Sequence, residues 1–105
     1  MLTHQKLKVY EKALALAACA QELSASWGRR HAIVEHYCRA SESIVLNIAE
    51  GRELDHRRFL EIAAASAVKA VAYLELYEQK ALSTSIQTAQ GRELLSRIIA
   101  MLNGF

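Results

Sequence analysis

Proline is missing from this chain, and glycine occurs only four times in 105 residues. Proline costs about 3 kcal/mol inside a helix and glycine about 1, so little in the composition interrupts long helices. No linker, internal repeat or low-complexity tract divides the sequence. No stretch reaches 18 uncharged apolar residues, which argues against a membrane-spanning helix. The opening Met-Leu-Thr-His-Gln-Lys lacks the apolar core of a signal peptide, and the expectation is a cytoplasmic protein. An excess of charge of one sign is missing too. A formal charge of +2 permits a local basic patch without announcing a nucleic-acid-binding protein. The two cysteines, Cys19 and Cys38, fall mid-helix and read as small buried hydrophobes.

Absences also bear on chemistry. There is no Cys-x-x-Cys or His-x-x-x-His pair among His4, His31, His36, His56, Cys19 and Cys38. His36 and Cys38 project about 200° apart on a helix, and no metal site is expected. A di-iron bundle needs Glu-x-x-His on two helices, which the chain does not supply. Glu50, Glu53 and Asp55 stand beside Arg52, Arg57 and Arg58 and read as a solvated helix-end network, because a catalytic carboxylate needs a shielded pocket. No catalytic residue, cofactor or small-molecule substrate is expected, and the chain is read as a non-enzyme.

What is present is apolar: 52% of the residues, more than a small chain that hides roughly 65% of its unfolded surface readily buries. The length fits one domain over residues 1–105. Helical periodicity divides it into four segments. The first runs from about Gln5 to Ala25, with Leu7, Tyr10, Leu14, Ala17, Ala18 and Leu23 as its apolar face and a break at Ser24–Gly28, where Trp27 clamps the loop. The second spans about Arg30 to Glu50. Ile33, Tyr37, Ala40, Ile44 and Ile48 trace one stripe, and Val34, Cys38, Ser41 and Val45 its neighbour, so burial on more than one side is expected. Gly51 suits the position after the last helical turn.

The third segment, about Asp55 to Lys80, opens on Asp55 as N-cap. Phe59, Ile62, Ser66, Ala70, Tyr73 and Tyr77 mark its face, and the small run Ala63–Ala67 invites close approach of a neighbour. The fourth begins near Thr84, which with Gln87 forms a capping box, and uses Ile86, Ala89, Leu94, Leu95, Ile98, Ile99 and Leu102. Gly91 inside it signals a close contact or a bend. Short connections make neighbours antiparallel, giving an all-α, up-down-up-down four-helix bundle.

Two functional readings follow. Lys6, Lys8 and Lys12 begin the first helix at the bundle end that also carries Arg52, His56, Arg57 and Arg58, a set able to hold phosphates. Arg29, Arg30 and His31 fall at the opposite end. The apolar excess and the tyrosines Tyr10, Tyr37, Tyr73 and Tyr77 favour a homo-oligomer, which would repeat the basic patch. The alternative is a structural or protein–protein interaction module without nucleic-acid binding. Asn47, among Ile44, Val45, Leu46 and Ile48, is expected to bond polar groups near the corner between the second and third helices, since an unmet buried amide costs about 1 to 3 kcal/mol.

Lys6-Leu7-Lys8-Val9-Tyr10-Glu11-Lys12-Ala13, then Arg39-Ala40 with Ser43-Ile44, then Asn47-Ile48-Ala49-Glu50-Gly51, then Arg58-Phe59-Leu60 with Ile62-Ala63 and Ser66, resemble a known family. These are the four-helix-bundle proteins encoded by intervening sequences of bacterial large-subunit (23S) ribosomal RNA genes, themselves similar to the accessory variability proteins of diversity-generating retroelements. The resemblance covers nearly the whole chain. It implies a bundle that assembles into a pentameric barrel with a basic surface, a nucleic-acid-binding role and no enzymatic activity. Three departures stand out. Val45 replaces a usual proline, Ala65 replaces a glycine at what would be a close helix contact, and Lys69 replaces a glutamate. If that glutamate pairs with the arginine matching Arg39, Lys69 turns attraction into repulsion.

Overall fold

The computed structural model describes residues 4–27, 32–51, 56–79 and 85–104. They form helices α1 (His4–Trp27), α2 (Ala32–Glu50), α3 (His56–Gln79) and α4 (Ser85–Asn103). Among the described residues, α1 packs on α2 and α4, and α3 packs on the same two, so α1 and α3 are diagonal. Cross-helix contacts fix the directions. Lys6 at the start of α1 reaches Gly51 at the end of α2, and Glu78 near the end of α3 meets Thr88 and Arg92 early in α4. This is the antiparallel four-helix bundle expected, with extents of 41 × 21 × 18 Å. At 1.5 Å per residue α3 is about 36 Å long and spans nearly the long axis.

Buried positions alternate by three and four in every helix. They are Val9, Ala13, Leu16, Ala20 and Leu23 in α1, and Val34, Tyr37, Ser41, Ile44 and Ile48 in α2. In α3 they are Leu60, Ala63, Ala67, Ala70, Leu74 and Tyr77, and in α4 Thr88, Leu95, Ile98 and Leu102, with buried Gly91 completing the spacing. This seam keeps one stripe facing the partners along the whole helix. Alanine supplies five of the eleven seam positions named in α1 and α3, so both helices lie close to their neighbours, as the run Ala63–Ala67 predicted.

The expected faces of α1 and α3 need correction. Leu7 and Leu14 are exposed, as is Ile62. In α1 the three-four spacing is met twice, by Leu7-Tyr10-Leu14-Ala17 and by Val9-Ala13-Leu16-Ala20, and the phase with small alanines takes the interior. Ala89 of α4 is exposed rather than apolar lining, and its neighbour Thr88 is buried instead. Nor does α1 break at Ser24: it continues to Trp27 with Ser24 buried. Ala65 is exposed, so its methyl lies at no close contact within the bundle. Ile33 and Val45 flank the α2 seam half-buried, and Val45 sits in an uninterrupted helix. The caps assigned to Asp55 and Thr84, and the Trp27 side chain, lie outside the described residues.

Two buried polar groups of α2 find backbone acceptors, one on its own helix and one across to α1. Ser41 donates to the Tyr37 carbonyl one turn back at 2.9 Å, and the Cys38 thiol donates to the Ala20 carbonyl at 3.4 Å. Burial pushes the Tyr37 phenol well above its ordinary range, with Cys19 and Cys38 adding to the effect. Gly91 makes the close contact anticipated for it: a Cβ there would lie 2.6 Å from Tyr37 Oη. Gly91→Ala should therefore destabilise the bundle by about 1–3 kcal/mol, although alanine is the better helix former. Tyr37→Phe in the same chain removes the obstructing oxygen and should recover most of that loss, as measured by urea unfolding.

Candidate nucleic-acid interface

At the end of the bundle where α1 and α3 begin, the basic residues divide between two places. Lys8 and Lys12 line an open groove of about 570 Å³ between α1 and α4, with Glu11, Ala15, Leu94, Arg97 and Met101. The groove extends past Gln5, Lys8, Met101 and Gly104, which line a second hollow of about 330 Å³. Arg57 and Arg58 are exposed in the first turn of α3, on the helix diagonal to α1. Arg52 and Asp55 lie outside the described residues, as does the His56 side chain.

Lys6, also placed in this set, is engaged by the fold. Its half-buried ammonium donates to the Gly51 carbonyl at 3.3 Å, where the negative end of α2 favours a cation. The Gly51 N–H donates to the Asn47 carbonyl at 2.9 Å, closing the last turn as expected. Glu50, on that turn, is exposed. Arg97, which the sequence reading passed over, joins Lys8 and Lys12. Its spacing of four from Met101, on the side of α4 next to the Ile98–Leu102 seam, was the available signal. Its guanidinium is exposed and pairs with Glu93 at 2.6 Å.

Asn47 does not reach the α2–α3 corner. Its amide donates one turn back, to the Ser43 carbonyl at 2.8 Å and to Ser43 Oγ at 3.1 Å. Ser43 Oγ meets Ser66 Oγ of α3 at 2.9 Å, so the polar tie between the helices lies mid-bundle. Beside it, His36, Arg39, Ala40, Ser43, Ser66, Lys69 and Tyr73 line a depression of about 200 Å³. Arg39 and Lys69 thus share a surface, but Arg39 Nε bonds Glu35 Oε1 on its own helix at 3.1 Å.

The opposite end is braced by a network the sequence reading missed. Thr88 and Arg92 both donate to the Glu78 carboxylate, and Arg92 grips both of its oxygens. The bond from Arg92, then that from Thr88, holds Glu78 below the usual carboxylate range. Thr88 and Arg92, four apart with Thr88 on the seam, were the legible clue. Both charged groups are partly exposed, so solvent screening limits the pair's contribution. Glu78→Gln should cost about 1 kcal/mol at neutral pH. Because the folded-state value is depressed, the carboxylate's contribution is complete above the unfolded value and lost as pH falls through the folded one. The deficit of Glu78→Gln should therefore shrink and vanish in urea unfolding curves as pH falls through the depressed folded-state value.

Among the described residues no cluster of three or more His, Cys, Asp or Glu side chains is placed to hold a metal ion, and no helix is long and apolar enough to cross a membrane. The model of the 23S rRNA-intervening sequence protein family matches residues 5–104. Among curated proteins none matches. Of solved structures, a protein of unknown function from the S23 ribosomal protein family of Bacteroides thetaiotaomicron superposes with a TM-score of 0.86 at 20% identity, covering 95% of this chain and 96% of that one. At that identity the likeness establishes the shared fold alone. The family match spans nearly the whole sequence, and the chain belongs to the 23S rRNA-intervening sequence protein family.

Proposed function

We propose that this family member is a non-enzymatic bundle that associates with copies of itself and holds nucleic acid, structured RNA foremost, on its basic end. The observation that carries the reading is the α1–α4 groove, where Lys8 and Lys12 stand with Arg97, itself paired with Glu93, around the single lining carboxylate of Glu11. Arg57 and Arg58 add charge from α3 at the same end. Such groups neutralise phosphates and position a backbone without reading bases. The groove is open, as a polyanion needs and as chemistry requiring exclusion of water does not.

Self-association is supported by apolar surface left outside the seam. Leu7 and Leu14 lie on the outer face of α1, and Val68, 60% exposed, and Leu76 on that of α3, with Ile62 at its margin. Fully burying such a side chain gains about 1.5–3 kcal/mol. The two faces differ and sit on diagonal helices, so one copy's α1 against the next copy's α3 gives a heterologous contact, which closes into a ring when the rotation permits. Five members is the number implied by the family resemblance. A ring repeats each basic end around its rim.

RNA retardation by the purified protein should weaken at least about tenfold between about 50 and about 200 mM salt. The pair Arg57→Glu and Arg58→Glu should abolish it without changing the mass in solution. A flat salt response defeats the reading. An intact oligomer that never retards RNA favours the protein–protein module instead. Leu14→Arg with Val68→Arg should reduce the mass by light scattering to the 11.7 kDa of one chain, and a wild-type protein already at that mass removes the ring.

A further inference from the structure

The α2–α3 depression gathers donors with few acceptors to match them. Arg39 spends one of its five N–H groups on Glu35, leaving the rest of its exposed guanidinium open. Lys69, exposed on α3, has no acidic partner among the described residues, and no carboxylate lines the depression. His36 lies flat against Tyr73, with ring centroids 5.4 Å apart and planes 16° from parallel, which leaves its ring edge available.

The floor adds a further donor. Ser43 and Ser66 hold two hydroxyl protons, yet share only one hydrogen bond. Asn47 donates into this pair rather than accepting from it. One O–H proton therefore remains without an acceptor among the described residues, at a place where Ser66 is 9% exposed. Two cations facing one hollow repel each other, and a bound anion relieves that repulsion while accepting the hydroxyl proton that the serine pair does not use.

We propose that this depression is a binding site for a phosphoryl group, with Arg39 and Lys69 as its clamp and the Ser43–Ser66 pair as its floor. A volume of about 200 Å³ suits a compact anion rather than a folded peptide. The planar His36–Tyr73 stack offers a wall to whatever the phosphoryl carries, so the source is either free phosphate or a nucleotide. The site lies on the α2–α3 side of the bundle, opposite the α1–α4 groove, and stands whether or not that groove binds RNA.

The test is a titration of the isotopically labelled protein, followed by amide and ring resonances, with inorganic phosphate in one arm and AMP in the other. Saturable shifts at Ser43, Ser66 and Lys69 are expected, with a dissociation constant on the order of 1 mM. Lys69→Gln should weaken binding at least about fivefold and Lys69→Glu should eliminate it; the position is solvent-facing, and unchanged spectra elsewhere show the fold intact. The pair Arg57→Glu and Arg58→Glu should bind as the wild type does, which separates this site from the basic end. Tighter binding of AMP with shifts of the His36 and Tyr73 rings assigns a nucleotide, and equal affinity assigns free phosphate; either upholds the site. No saturable shift up to about 20 mM phosphate, or undiminished binding by Lys69→Glu, overturns it.

Discussion

Close approach of helices through alanine is the constraint on which the rest of this bundle depends. Ala13, Ala20, Ala63, Ala67 and Ala70 are buried in the seam, and a seam of small side chains holds α1 and α3 tightly against α2 and α4. Larger side chains, Tyr37 and Tyr77 among them, fill the space between the alanines. Gly91 shows the limit, because even one methyl there meets the Tyr37 hydroxyl. The short polar groups inside are bonded within their own helix or straight across, as in Ser41 to Tyr37 and Ser43 to Ser66.

Where alanine takes seam positions of α1 and α3, larger apolar residues of those helices face outward. Leu7, Leu14, Val68 and Leu76 occupy outer faces of α1 and α3 that in a leucine-cored bundle would carry charge. The charged residues are left with the helix ends and the grooves beside the seam. Lys6 closes the end of α2, Glu78 and Arg92 close the other end, and Lys8, Lys12 and Arg97 fall in the α1–α4 groove.

The sequence made the fold class, all four helices and the Gly51 stop legible, because helical period and short polar connections are local signals. It also revealed the Gly91 contact, since a helix-interior glycine has a cost that packing must explain. The phase of α1 was not legible. Leu7 and Leu14 outweigh Ala13 and Ala20 on any scale of hydrophobicity, so transfer energy chooses the wrong face when interhelix distance decides. Asn47 was read as a corner group because it lies near one, yet an amide can satisfy itself against its own helix at Ser43. The candidate site was half legible. Lys8 and Lys12 could be placed at one end with Arg57 and Arg58, but a linear sequence does not tell that α1 and α3 are diagonal. Arg97 was hidden by its distance along the chain.

Arg39 and Lys69 show how such a bundle separates stability from recognition. The family resemblance implies a glutamate where this chain has Lys69, which shares a surface with Arg39. The fold accommodates the change cheaply, because Arg39, with its side chain 73% exposed, turns to Glu35 on its own helix. An exposed pair at that spacing contributes only about 0.3–0.5 kcal/mol, so exchanging one partner for another leaves the seam untouched. The cross-helix tie passes to Ser43 and Ser66 beneath, which carry no charge and are indifferent to the sign above them. Reversal of that sign therefore alters what the surface attracts far more than whether the bundle forms. A position free of the seam but fixed in space by it is one where a change of partner costs the fold least.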